Sequence, residues 1–271
     1  MNVSFIGGGN MASALIGGLL QQGRASSSLR VVDVSSDARN AIQRRFGVTA
    51  FADLSQGCAE SDIIILAVKP QQLREVALGL KALLRNQIVI SIAAGIRARD
   101  LSRWLGGYNR IVRAMPNTPA LVGAGISGLY AMPKVAQREK KQAETILSAV
   151  GSILWLEHEE QLDAMTAVSG SGPAYVFYFI EALQIAAQEL GFDAQQAKRL
   201  SLDTFAGAVK LAKQGTEDAQ TLRQRVTSKG GTTERAISSM EQAQLQRHIV
   251  SAVRAAQERS RELGDEFGKA D

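Results

Sequence analysis

Val3-Ser4-Phe5-Ile6-Gly7-Gly8-Gly9-Asn10-Met11-Ala12 is the stretch whose reading decides the fold. Val3–Ile6 has the character of a short buried strand and runs straight into glycines. From Met11 to about Gln22 the apolar residues recur at helical spacing, and Gly23 stands where that helix should stop. The turn between strand and helix fits GxGxxA. Gly7 permits the tight turn, Gly9 lets an anion approach the backbone, and Ala12 lets the helix lie close on the strand. A helix start above such a turn presents unpaired N–H groups and the positive end of the helix dipole, which suits a pyrophosphate. Taken alone the pattern could be a mere turn. Between a strand and a helix it reads as a dinucleotide-binding loop.

Working outward, strand and helix patterns keep alternating. Leu29–Val34 reads as a strand, Ala38–Phe46 as a helix closed by Gly47, and Ile63–Val68 as an almost purely aliphatic strand buried on both faces. Ile88–Ile92 and Arg110–Ala114 read as further strands. This order predicts an α/β Rossmann-type, doubly wound parallel sheet domain over residues 1–158. Beyond about residue 158 strand signals vanish. Helices are expected at Pro173–Leu190, from an Asp193 N-cap to Lys213, at Ala219–Val226, at Glu234–Gln242 and at Leu245–Leu263, with a frayed Gly268–Asp271 tail. Residues 159–271 therefore read as an all-helical C-terminal domain. The Pro173–Leu190 helix is apolar around most of its circumference and should be buried among others.

Composition narrows the class. Of 271 residues, 45% are hydrophobic and 21% charged, as in an ordinary globular protein. The 31 Lys and Arg are dispersed among 26 acidic residues, with no basic block interleaved with aromatics, which argues against nucleic-acid binding. No apolar run approaches the ~18 residues that would cross a bilayer. The N-terminal residues are strand-like and lack the basic region of a signal peptide. A single cysteine, Cys58, fits a reducing compartment, so a cytoplasmic location is expected. His158 and His248 lie in charged helix-type surroundings and read as solvated surface residues; no metal is expected.

The loops after each strand hold the candidate site, because ligands of open parallel sheets bind beyond the carboxyl ends of the strands. Asp33 ends the second strand, where an acidic residue either holds the adenosine ribose and repels a 2′-phosphate or is simply a solvated loop residue. Ser35 could donate to a ribose hydroxyl or to a phosphate; no arginine immediately follows to read a phosphate strongly, Arg39 being the nearest. Ala67-Val68-Lys69-Pro70 should face the cofactor, with Lys69 a loop lysine rather than a catalytic acid. Ser91-Ile92-Ala93-Ala94-Gly95 ends a strand in small residues that allow close approach of a nicotinamide. Asn117 is the best polar candidate of the stiff turn Met115–Pro119. In the helical half, Ser228-Lys229-Gly230-Gly231-Thr232-Thr233 precedes a helix. It reads as a nest of donors suited to a carboxylate, or as an ordinary capped loop.

Taken together, GGGNMA (7–12), AVKP (67–70), SIAAG (91–95), RAMPNTPALV (113–122), SGSGPAYVF (169–177) and VTSKGGTT (226–233) make the chain resemble the pyrroline-5-carboxylate reductases over both domains. The resemblance implies cofactor contacts at Ile6, Gly7, Gly8, Gly9, Asn10, Met11, Ser35, Ala67, Val68, Lys69, Pro70 and Ala94, to which the strand-end positions of Asp33 and Ala93 add those two residues. It implies a substrate site at Ser228, Gly230, Gly231, Thr232 and Thr233, with Thr233 as the catalytic contact to the ring nitrogen; Asn117 joins the substrate side from its place in the 115–119 turn. Asp33-Val34 stands where relatives often carry small residues or Asn, and Lys229 where many carry proline. The implied reaction is hydride transfer from NADPH to the C5 imine carbon of 1-pyrroline-5-carboxylate, giving L-proline, while Asp33 argues that NADH is also usable. A helical dimerisation domain and a homodimer, extending to a ring of dimers, are implied as well.

One observation independent of the resemblance favours an imine over a carbonyl. Reduction of a carbonyl needs a positioned proton donor, and Pro173–Leu190, which would carry the catalytic lysine in the similarly built β-hydroxyacid dehydrogenases, contains no Lys and no His. A relative of those dehydrogenases and a non-catalytic nicotinamide-binding protein are the alternative readings.

Overall fold

The computed structural model describes residues 1–269. In chain order the first part runs β1 (Val3–Ile6), α1 (Asn10–Gln21), β2 (Leu29–Val32), α2 (Ser36–Phe46), β3 (Thr49–Phe51), α3 (Leu54–Cys58), β4 (Ile63–Leu66), α4 (Pro70–Leu80), β5 (Ile88–Ser91), α5 (Ala98–Trp104) and β6 (Ile111–Met115). A 3₁₀ turn at Thr118–Val122 leads to β7 (Gly125–Ala131), α6 (Gln137–Leu147), β8 (Gly151–Trp155) and α7 (Gln161–Met165), which continues into one π-helical turn, Thr166–Gly170. Five helices follow: α8 (Gly172–Glu189), α9 (Ala194–Gln214), α10 (Ala219–Arg225), α11 (Thr232–Gln242) and α12 (Leu245–Gly268). The chain divides into two compact units, Met1–Ser171 with the segment from Ala256 onward, and Gly172–Ala255.

The eight strands form one sheet in the order β3-β2-β1-β4-β5-β6-β7-β8. The first six are parallel, β7 runs antiparallel to β6, and β8 pairs parallel with β7. The centre of the sheet shows why an unbroken aliphatic strand belongs there. Ile63 and Ile65 of β4 enter one core with Leu15 and Ile16 of α1, while Ile64 and Leu66 enter the opposite core with Leu73 of α4 and Leu101 of α5. Successive side chains point to opposite faces, so a strand covered by helices on both sides has no solvent face to make polar. This is the expected Rossmann-type domain.

Three strands escape the sequence reading. β3 has only three residues, β7 (Gly125-Ile126-Ser127-Gly128-Leu129-Tyr130-Ala131) is interrupted by glycine and serine, and β8 is a half-exposed outer strand. Their pairing is decided by the neighbouring strand rather than by their own apolar pattern. The reading of the second half as all-helical holds among the described residues. α9 begins at Asp193 as expected, by a capping box: Asp193 Oδ1 accepts the N–H of Gln196 at 2.8 Å and Gln196 Oε1 accepts that of Asp193 at 3.1 Å.

Two expectations are corrected. The last helix continues to Gly268 instead of ending near Leu263, because its end is pinned to α5. Arg97 pairs with Asp265 at 2.6 Å and Arg103 Nη2 donates to the carbonyl of Gly268 at 2.8 Å. Residues 270 and 271 of the expected frayed tail lie outside the described residues. The α8 helix is not buried within one chain. It packs along α9, yet only Ile180 is buried, and Phe177 and Tyr178 are 66% and 72% exposed. A helix apolar nearly all round needs cover on more sides than one neighbour provides. No helix among the described residues is long and apolar enough to cross a membrane.

Candidate active site

The strand order reverses between β1 and β4, and the loops after these two strands are built against each other. Gly7 donates to the carbonyl of Val32 at 2.8 Å, and Ala67 donates to that of Ile6 at 2.8 Å. Gly7 has φ +102°, and a β-carbon there would lie 2.7 Å from the carbonyl oxygen of Ala67. Only glycine satisfies both the backbone angle and the contact. At Gly9 the opposite holds: nothing lies within 4 Å of a β-carbon position, so the space over the start of α1 is open. Gly9 is the N-cap of α1, supplies no side-chain cap, and is followed by no acidic residue in the first turn. The leading N–H groups of α1, from Asn10 and Met11, therefore face an open cradle with no internal carboxylate competing for it. Both features fit a dinucleotide's pyrophosphate.

Beside this cradle the end of β2 is ordered by Asp33. Its Oδ2 accepts the N–H of Gly8 at 2.8 Å, and its Oδ1 accepts that of Ser35 at 2.9 Å. Ser35 caps α2, its Oγ accepting the N–H of Ala38 at 3.3 Å. Arg39 Nη1 donates to the carbonyls of Asp33 at 2.7 Å and Val34 at 3.0 Å. Sequence reading treated Asp33 and Arg39 separately. Arg39 reaches Asp33 across only six positions, whereas the tie from Asp33 to Gly8 spans 25 and has no short-range signature.

On the other side, Lys69 is the exposed N-cap of α4 and Pro70 its first residue, the place where a missing N–H is harmless. Val68 and Ala67 precede them at the end of β4. Ile92 donates to the carbonyl of Leu66 at 3.1 Å, which sets the turn carrying Ala93 and Ala94 directly beside that strand end. Ile6 through Met11, Asp33, Ser35, Ala67 through Pro70, Ala93 and Ala94 thus line the carboxyl ends of β2, β1, β4 and β5, four neighbours in the sheet. Asn117, after β6, is buried and uses both ends of its amide. Nδ2 donates to the carbonyl of Ser169 at 3.1 Å, and Oδ1 accepts the N–H of Ile126 at 2.9 Å.

One buried polar junction was not anticipated. Arg113 on β6 pairs with Glu159 at 2.6 Å, and the same carboxylate oxygen accepts the N–H of Ala98, the first residue of α5, at 2.5 Å. It caps α5 across 61 positions of sequence, a distance no local pattern can signal.

In the second unit, the 228–233 loop is a tight turn closed by Gly231 donating to the carbonyl of Ser228 at 3.0 Å, with Gly230 at φ +73°. The N-cap of α11 is Gly231, and Thr232 and Thr233 are its first two helical residues. This departs from the simple capped loop in which Thr233 would be the cap. Neither threonine hydroxyl has a hydrogen-bond partner among the described residues; Thr232 is exposed and Thr233 half-buried. The N–H of Gly230 is already taken by the carboxylate of Glu234 at 2.6 Å. A carboxylate does sit on this loop, then, and it is the chain's own. The donors left for another anion are the leading N–H groups of α11 and the two hydroxyls. His158 and His248 are both exposed.

Comparison with known proteins covers both units. Residues 159–263 match the family model described as pyrroline-5-carboxylate reductase dimerisation, and residues 2–95 match one described as NADP oxidoreductase, coenzyme F420-dependent. The chain is 42% identical over 268 residues to the pyrroline-5-carboxylate reductase of Pseudomonas aeruginosa, covering 98% of each chain. Among solved structures it is similar to a pyrroline-5-carboxylate reductase from Coxiella burnetii, with TM-score 0.91, 41% identity, and 97% of this chain and 98% of that one covered. It is also similar to the Plasmodium falciparum pyrroline carboxylate reductase with NADP bound, with TM-score 0.88, 31% identity and coverage of 97% and 98%.

Proposed function

The chain belongs to the pyrroline-5-carboxylate reductase family, and from that membership we propose that it reduces 1-pyrroline-5-carboxylate to L-proline with NADPH, accepting NADH as a second reductant. The observation that carries this reading is the whole-length similarity to named reductases, which includes the phosphate turn and the threonine loop alike. The bound nicotinamide would supply two electrons and a proton as hydride to C5 of the ring. The ring nitrogen takes its proton by entering as an iminium, so no lysine or histidine is required as acid.

The chain's own residues then bind and align. Gly7–Gly9 and the first turn of α1 hold the pyrophosphate; Asp33 and Ser35 border the adenosine ribose; Ala67–Pro70, Ala93 and Ala94 border the nicotinamide half. In the second unit, Ser228, Gly230, Gly231 and Thr232 form the substrate loop, the free N–H groups at the head of α11 take the carboxylate, and Thr233 contacts the ring nitrogen as the catalytic residue. Asn117 shapes the substrate side by tying β7 to the turn at Ser169. By role, residues 1–158 are the dinucleotide domain and 159–271 the dimerisation and substrate domain. The exposed apolar surface of α8 supports a homodimer, and we extend the assembly to a ring of dimers. The single cysteine supports placing the enzyme in the cytoplasm.

One assay tests the reading: cofactor oxidation with pyrroline-5-carboxylate, run with NADPH and with NADH, with proline quantified. Equimolar proline and oxidised cofactor, with NADPH preferred, is expected. Turnover of a 3-hydroxy acid with none of the imine, or cofactor binding without oxidation, would replace it with one of the two rival readings.

A further inference from the structure

We propose that Arg39 reads the 2′-phosphate of the cofactor's adenosine ribose, and so sets the preference for NADPH over NADH. This rests on the dinucleotide reading of the β1–β4 site and adds a residue to it. Arg39 lies one turn into α2, its N–H bonded to the carbonyl of Ser35 at 3.1 Å. Helical side chains lean back toward the N-terminus, which takes this one over the loop at the end of β2. There its Nη1 group is clamped on the carbonyls of Asp33 and Val34 at 2.7 and 3.0 Å.

That clamp orders the guanidinium without neutralising it. A guanidinium has five N–H donors, and Nη1 carries two of them. The donors on Nε and Nη2 have no partner among the described residues, and Arg39 has no ion-pair partner there. A fixed cation with a free donor edge is the arrangement that recognises a phosphate. The loop it sits on is open: Val34 is 87% exposed and Ser35 is exposed.

The neighbouring charge is managed in the same loop. Asp33 is the residue that should repel a 2′-phosphate, yet each of its carboxylate oxygens accepts a backbone N–H, from Gly8 and from Ser35. Its carboxylate is therefore partly compensated and turned to the phosphate turn, while the arginine stands on the carbonyl side of the same residue. Asp33 retains lone pairs for the ribose of NADH, and Arg39 adds the attraction that only NADPH can use.

The test is direct binding to the full-length protein, by calorimetry, with NADP⁺, NAD⁺, 2′,5′-ADP and 5′-AMP as probes; the last two isolate the 2′-phosphate. Arg39→Met keeps the stem and removes the charge. It should weaken NADP⁺ and 2′,5′-ADP by about 10-fold or more and leave NAD⁺ and 5′-AMP within about twofold. Arg39→Lys should fall between, keeping a charge but losing the fork. Retained 5′-AMP affinity in the same samples shows that the variants are folded. Equal weakening of all four probes would make Arg39 a mere support of the loop, and unchanged NADP⁺ binding would place phosphate recognition elsewhere; either overturns the proposal. If the unaltered protein binds none of the four, the dinucleotide reading falls and takes this proposal with it. If it binds them but leaves the imine unreduced, only the substrate reading fails.

Discussion

Asp33 Oδ2 accepts the backbone N–H of Gly8 at 2.8 Å, so the end of β2 holds the phosphate turn in place. The aspartate is thereby part of the cradle as well as a possible ribose ligand. Removing it should hurt both cofactors. Asp33→Ala is expected to weaken NADPH and NADH alike by about 10-fold, since charge-assisted hydrogen bonds contribute about 1.5–3 kcal/mol. Calorimetry with each cofactor checks this. Tighter NADPH binding in that variant would mean that charge repulsion, and not loop support, is the main effect of Asp33.

Thr233 is the second helical residue of α11, behind a Gly231 cap, and its hydroxyl has no partner among the described residues. Thr233→Val should therefore leave the melting temperature almost unchanged. It should lower kcat/KM for pyrroline-5-carboxylate at least ~10-fold, about 1.4 kcal/mol of transition-state stabilisation, with cofactor affinity unaltered. A variant that melts earlier and turns over normally would remove Thr233 from the catalytic list.

Phe177 and Tyr178 on α8 are largely exposed in the single chain, and a cleft of about 250 Å³ in the same unit is lined by Tyr175, Tyr178, Phe179, Leu245 and Ile249. Light scattering should give a dimer or larger assembly. Phe177→Glu should dissociate it, because a charge placed in an apolar interface loses its water without gaining a partner. A stable, active monomer at low concentration would contradict this arrangement. A chain ending near residue 160 should keep the phosphate turn and lose reductase activity.

Cys58 is buried on α3, and burial, with a smaller contribution from the charge of Asp53, pushes its thiol up to about 12. The thiolate is the reactive form, so at pH 7–8 the native protein should resist alkylation over hours, and labelling should appear only on unfolding. Rapid labelling of the folded protein, with activity lost in step, would show that α3 opens readily.

The sheet's centre and the phosphate turn were legible because their signals are local. Ile63–Leu66 needs only four consecutive apolar side chains, and Gly7–Ala12 only a strand, a turn and a helix start in succession. The threonine loop was legible as a loop, but its capping was not. Which residue becomes the N-cap depends on where the helix begins, and the carboxylate of Glu234 on Gly230 appears only once that first turn has formed.

By itself, the sequence determined the layered α/β domain, the helical second half and the family, since each rests on periodicity and short motifs carried along the chain. Tertiary structure alone decided that Gly8, Asp33 and Arg39 act on one loop, that Glu159 caps α5 while pairing with Arg113, and that β7 turns antiparallel at the sheet's far side. The Gly8–Asp33 and Ala98–Glu159 bonds join positions 25 and 61 apart, which no local pattern relates. A hydrogen-bonded side chain reports nothing of its partner until the backbone has placed the two within about 3 Å of each other.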